Sequence, residues 1–500
     1  MVYKRPGVYI NETLTPLQPS VDTSGSATAA FVGTTKQGGP ILPTFVTSWS
    51  QYMSKFGGFG DGSDLLPYSV YEYFNNGGGG CFIVRAVNSS AVAANKTFTD
   101  STPVTPVDVL KVTAVASGLW GNSISVDLVA SATRFDLVIT KGSTVERFND
   151  LSLDPADSRS ALNVVNSPVS GSALVVLAYM GPSPYTSVNA PTVQVAQSLA
   201  SGTEGTGSPD LSAAAQTLDS IITPLDVNLP GILLNTTINA LVTWAETQGN
   251  VFLVVDGVQG ADADTAAANA TAQGALLSGG SALTASSTVA LYAPWVIADD
   301  PSNAVPGASR ALPPGGFVLG QYARSDTVKG VQKAPAGTST TLRGALAPRF
   351  RYSTTDLDTL NPLGVNVIRT TPGAGLCIWG ARTVKQGMPD RYISVRRTLI
   401  YMKYALTELS RPALFEENDS DLWDYLTQVI SQFLQTQWQV GAIKGSSPSE
   451  AFYIKCDAEN NPPSTANAGV VNIEIGLALA APAEFIVINI GQSLTGSQAV

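Results

Sequence analysis

No histidine occurs anywhere in these 500 residues. Histidine is the usual general base near neutral pH, the middle member of Ser-His-Asp and Cys-His arrangements and the commonest metal ligand. Its absence argues against a hydrolase and against any histidine-bearing metal site. Cysteine is scarce as well. Cys81, Cys377 and Cys456 are far apart and form no Cys-x-x-Cys. They are too few for a disulfide framework and read as buried, reduced thiols of a protein folded in a cytoplasm. A phosphate-binding loop needs a Gly-Lys pair, and there is none. Long hydrophobic runs are missing too. The longest candidate, 470–490, is broken by Asn472, Glu474, Pro482 and Glu484 and has the period of strands, so no membrane insertion is expected. Lys4 and Arg5 lead into Pro6 and Gly7 rather than an apolar core, which does not read as a signal peptide.

Positive charge is in short supply. The net charge of -10 disfavours direct nucleic-acid binding, which recruits a basic surface. The deficit is uneven, however. Residues 369–411 hold eight basic side chains against Asp390 and Glu408, a local +6 that leaves the rest of the chain at -16. A second charged group, Glu416, Glu417, Asp419, Asp421 and Asp424, lacks the Asp-x-Asp-x-Asp-Gly spacing of a calcium loop and reads as helix capping and interface. No catalytic or metal residue is expected, and no cofactor.

What is present is enough apolar sequence, 44%, for three or four domains. An α/β region opens with a buried strand at 29–33, a helix over 64–76 and a strand over 81–87. The run Gly77 to Gly80 precedes that strand and reads as connection or close packing, since a phosphate cradle follows its strand. Residues 89–207 turn to Ser, Thr, Val, Asp and Gly in short alternating runs such as 124–129 and 135–140, an inserted all-β module. The α/β pattern then resumes. The continuous apolar strand 251–255 follows a helix around Ile238, Leu241, Val242 and Ala245, which implies a parallel sheet covered on both faces. After Pro362 the pattern is α+β, with helices at 394–409 and from Asn418 and strands at 451–456 and 470–477. Trp423 and Trp438, four turns apart on the second helix, read as core or interface anchors.

The two ends read as lone strands. Val8, Tyr9, Ile10 and Asn11 alternate near the start, and Phe485, Ile486, Val487, Ile488 and Ile490 do so near the end. An unpaired strand on a flexible tether is a template for joining another chain's sheet, the alternative being an ordinary edge strand of the same subunit. Linkers at 13–23 and 476–483 read as hinges.

Several short words occur in a familiar order: residues 5–12 (RPGVYINE), 119–122 (LWGN), 293–295 (APW), 313–316 (PPGG), 395–397 (VRR), 415–419 (FEEND), 422–423 (LW), 438–442 (WQVGA), 451–457 (AFYIKCD) and 483–486 (AEFI). In this the chain resembles the contractile tail sheath proteins of bacteriophages and related injection machines. The resemblance covers almost the whole chain, most loosely in 89–207.

It implies a virion or phage-like tail subunit, assembled in a host bacterial cytoplasm, that polymerises with itself as stacked six-membered rings around an inner tail tube protein. Baseplate and tail terminator proteins are the further partners. Contraction from a metastable extended state would drive the tube through the target envelope. The expected domains are an N-terminal arm, 1–20; a central α/β domain, 21–88 with 208–362; an inserted β-rich outer domain, 89–207; an inner α+β domain, 363–480; and a C-terminal arm, 481–500. Both arms are expected to exchange as β-strands between subunits. The basic cluster, through Lys385, Arg391, Arg396, Arg397 or Lys403, is the expected contact with an acidic tube, unless Arg396 and Arg397 are instead packed or salt-bridged. The competing reading is a receptor-binding or adhesive tail protein that uses the β-rich insertion.

Overall fold

The computed structural model describes residues 27–38, 42–60, 62, 64–100, 105–131, 134–181, 191–232, 234–257, 259, 283–385, 387 and 391–484. It contains two compact units. Within the described residues the larger covers 27–400 and 481–484, and the smaller covers 401–480. The strands expected at both ends of the chain, Val8 to Asn11 and Phe485 to Ile490, lie outside the described residues.

The larger unit is built on an eight-stranded sheet in the order Gly375–Ile378, Val365–Thr371, Val289–Ala293, Val251–Asp256, Leu225–Asn228, Thr28–Gly33, Cys81–Arg85, Thr44–Val46. The six inner strands are parallel, and each edge strand is antiparallel to its neighbour. The strand Val251–Asp256 shows why its sequence is apolar at every position. Val251, Leu253 and Val255 face Ile238, Leu241, Val242 and Ala245 of the helix Asn235–Gln248. Phe252 and Val254 face Phe317, Leu319 and Tyr322 of the helix Gly315–Lys329. A strand sandwiched between two helical layers has no side left to be polar. The glycine run does serve packing: a Cβ on Gly78 would sit 2.2 Å from the Tyr73 ring.

Residues 89–207 form two antiparallel sheets over one core. The three-stranded sheet is Asn95–Thr99, Asp108–Ala114 and Val175–Tyr179; the four-stranded one is Gln194–Ser198, Ser125–Ser131, Arg134–Lys141 and Thr144–Leu151. Phe98, Leu110 and Val112 meet Val126, Leu128, Leu137 and Ile139 between them. The alternation read from the sequence is the alternation of inward and outward positions. The short helix Ala161–Val165 interrupts the all-β pattern.

The sequence division at 363 is corrected. Val365–Thr371 pairs with Val289–Ala293, and Gly375–Ile378 pairs with Val365–Thr371, so both belong to the large sheet. The boundary between units falls inside the helix Ile393–Ser410, after Ile400.

The smaller unit begins with the remainder of that helix. The helix Ser420–Gln439 follows, capped by Asp419, whose Oδ1 accepts from the Leu422 N–H at 3.1 Å. Its stripe Leu422, Leu426, Val429, Ile430, Phe433 and Leu434 is buried, and Tyr401 meets Phe433 at 6.2 Å between ring centres. The strands Phe452–Lys455 and Glu474–Leu477 pair antiparallel.

Candidate assembly surface

The pair Phe452–Lys455 and Glu474–Leu477 is a sheet that stops at two strands. Among the described residues each strand has one neighbour, which leaves an outer edge on either side. The pair is held from within. Ala478 N–H donates to Ala451, the Tyr453 hydroxyl donates to Glu474 Oε1 at 2.6 Å, and the Tyr453 ring lies over Gly476, where a Cβ would meet it at 2.0 Å. Asn461, 1% exposed, braces the connection. Its Nδ2 donates to the Asn472 carbonyl at 3.0 Å and its Oδ1 accepts from the Asn472 N–H at 2.6 Å.

Ile473 and Ile475 are alternate positions of one extended segment and face the same way. With Leu406, Leu414, Ile430 and the Arg411 stem they line an open groove of about 450 Å³. Leu414, in its lining, is followed by a strained residue. Leu414 is 64% exposed, and Phe415 is fully exposed with φ +72°, a left-handed conformation that a bulky residue adopts at a cost. An apolar groove beside an unpaired strand edge fits an added β-strand, whose backbone takes the edge while its alternate side chains fill the groove.

Trp423 and Trp438 sit near the two ends of the helix Ser420–Gln439, half-buried. Their indole N–H groups donate to Asn418 Oδ1 and to the Gly445 carbonyl, each at 2.9 Å. They pin the flanking loops to the helix.

The basic cluster separates by burial. Lys385 and Lys403 are exposed, and Arg391 and Arg396 are half-buried. Arg397 as a tube contact is corrected: it is 2% exposed, and its guanidinium bridges Asp226 Oδ2 at 2.6 Å and Asp326 Oδ2 at 2.5 Å while lying 4.5 Å from the Tyr322 ring centre. Burial pushes the Asp226 carboxyl upward against the pull of Arg397, whose own pKa is raised by the two carboxylates in spite of its burial. Arg382, another of the eight basic residues of 369–411, is 8% exposed and holds Glu484 in a bidentate pair. The sequence allowed for a salt-bridged Arg397 without naming its partners, but the Arg382–Glu484 pair and the groove were both missed. The clue to the groove was the spacing of Ile473 and Ile475, and the clue to the pair was the position of Glu484 at the root of the last segment.

The two-stranded sheet and the apolar groove beside it are surfaces of the kind that structural, assembling subunits present. Residues 206–384 match the central domain of phage tail sheath proteins, and residues 389–493 match the phage tail sheath C-terminal domain. Together these matches cover more than half of the chain, and the protein belongs to the contractile tail sheath family. The family is one of structural proteins, and the chain is not an enzyme.

Among solved structures, the contracted sheath complex of the extracellular contractile injection system PVC is 20% identical with a TM-score of 0.61, covering 99% of both chains. The contracted helical sheath of the anti-feeding prophage is 22% identical with a TM-score of 0.58, covering 98% of this chain and 100% of that one. The sheath tail protein of Listeria innocua is 12% identical with a TM-score of 0.57 over 87% and 89% of the two chains. These likenesses are of fold. No curated protein sequence matches the chain.

Proposed function

We infer that the chain polymerises as stacked hexameric rings around an inner tail tube, with the smaller unit innermost and residues 89–207 outermost. Contraction from a metastable extended lattice then drives the tube through a target cell envelope. The arms 1–20 and 481–500 add as strands to the sheets of adjacent copies, Val8 to Asn11 and Phe485 to Ile490 supplying the strands. Tube protein, baseplate and tail terminator are the partners, and the particle is a phage or phage-like tail assembled in a bacterial cytoplasm. The observation that carries this reading is the strand pair Phe452–Lys455 and Glu474–Leu477 with its two open edges and adjoining groove.

Magnitudes favour a mesh of individually modest joints. An added strand gains ~0.5–1.5 kcal/mol per net hydrogen bond and ~1.5–3 kcal/mol per fully buried large apolar side chain, against ~1–2 kcal/mol per residue of backbone ordering. A single arm is marginal, and a lattice in which every copy gives and receives arms is not. It parts nowhere in particular and bends at its linkers. No nucleotide is needed, because the difference in contacts between extended and contracted lattices supplies the work. Deleting residues 1–12 should abolish tubes and rings in sedimentation and electron microscopy while leaving the remaining chain folded; tubes of normal length would refute the arm reading.

A further inference from the structure

The chain leaves the strand pair through a short and definite path. Gly476 and Leu477 lie within the pair, and the Ala480 N–H still donates to the Ala442 carbonyl, so the hinge expected over 476–483 narrows to Ala481, Pro482 and Ala483. At Glu484 the chain is held again, in the larger unit. Arg382 Nε donates to Glu484 Oε1 at 2.9 Å and Nη2 donates to Oε2 at 2.6 Å, while Asn361 Nδ2 reaches Oε1 at 3.2 Å.

Arg382 is itself fixed. Its N–H donates to Asn366 Oδ1 at 2.7 Å, its carbonyl accepts from Asn366 Nδ2 at 2.8 Å, and Nη1 donates to the Asn361 carbonyl at 3.0 Å. Asn366 is fully buried in the sheet strand Val365–Thr371. A planar fork held on both sides of its backbone and met by a carboxylate in bidentate geometry is a strong, directional joint.

We propose that Arg382 and Glu484 anchor the root of the C-terminal arm to the large sheet, so that a neighbouring copy pulling on residues 485–500 pulls on that sheet and not on the strand pair. The inference rests on the arm-exchange reading. A pull delivered at the end of a strand pair breaks its hydrogen bonds one at a time, and each is weak. An ion pair placed ahead of the strands diverts the pull before it reaches them. Tether length matters less, because releasing the anchor lengthens the arm only by the few residues back to Ala481 and effective concentration falls slowly with length. Arg382 is thus a positioning residue for the arm.

The test uses the full chain with Glu484→Gln, which keeps shape and loses charge, and Arg382→Met as the second variant. In the unassembled chain, amide exchange at Ala483 and Glu484 should quicken about tenfold or more in both variants, with the exchange of 452–455 and 474–477 unchanged. Assembled tubes of either variant should fragment under shear or on contraction where the parent tubes survive. A chain ending at Glu484 should not assemble. Unchanged exchange in the variants would overturn the anchor, as would variant tubes as robust as the parent's. Normal assembly of the truncated chain would instead overturn the arm reading on which the anchor depends.

Discussion

Arg397 and Asp226 meet at 2.6 Å in the interior of the larger unit, both almost wholly buried, the arginine from the helix Ile393–Ser410 and the aspartate from the strand Leu225–Asn228. Asp326, on the helix Gly315–Lys329, completes the group from the other side of the guanidinium. One cation thus joins a strand and two helices, and its removal leaves two carboxylates facing each other without water.

Arg397→Met is therefore expected to cost about 3–5 kcal/mol, the usual penalty for stranding a buried charge. Chemical denaturation of the isolated chain measures it. Lys403→Met, at an exposed position of the same helix, should change stability by less than about 0.5 kcal/mol. Equal stability of the two variants would show that the buried group holds nothing together.

Glu72 gives a pH dependence. It is 3% exposed in the helix Leu66–Asn75, and burial pushes its carboxyl from 4.5 up to about 7; the hydrogen bond from Asn75 opposes the rise and Asp299 adds to it. The folded chain then holds this proton more tightly than the unfolded chain. The contribution to stability is full below about pH 4.5 and is lost as the pH rises through about 7. Glu72→Gln keeps an acceptor for Asn75 and cannot ionise. It should be more stable than the parent at pH 8, by up to about 3 kcal/mol, and indistinguishable from it near pH 4.5. Equal melting temperatures at pH 8 would contradict the assignment.

The strand and helix content of the chain was legible because burial imposes a period. The parallel strand at 251–256 is apolar throughout, the sandwich at 89–207 alternates, and the helix at 420–439 carries its stripe. What escaped depends on pairs distant in sequence. Arg397 finds Asp226 and Asp326 at separations of 171 and 71 residues, so a salt bridge there could be allowed for but its partners could not be named. Val365–Thr371 joins a sheet begun more than 300 residues earlier, which no local pattern announces. Of the candidate site, the strands were visible and the groove was not, because Leu406, Ile430 and Ile475 come together only once the helices pack.

Ile475→Asp puts a charge in that groove from a half-buried position on the strand Glu474–Leu477, leaving every residue of the helix Ser420–Gln439 unchanged. The variant should fold as the parent does by circular dichroism yet assemble at least tenfold more weakly, since ~1.5–3 kcal/mol of apolar burial is lost at each joint. Sedimentation reads the outcome. Parent-like assembly would remove the groove from the account.

Lys385→Glu and Lys403→Glu test the tube contact, as the two exposed residues among the five expected to make it. At least one should weaken co-sedimentation with the tube protein at low salt, and the gap between variant and parent should narrow as salt screens the charge. Should neither variant change binding at low salt, the tube is held by other residues.

The most direct measurement is a cryo-electron microscopy structure of the assembled tube, resolved well enough to trace what lies against the outer edges of Phe452–Lys455 and Glu474–Leu477. The account predicts strands there from adjoining copies, contributed by residues 8–11 and 485–490. A lattice in which those edges meet only solvent, or only segments of their own chain, would contradict it.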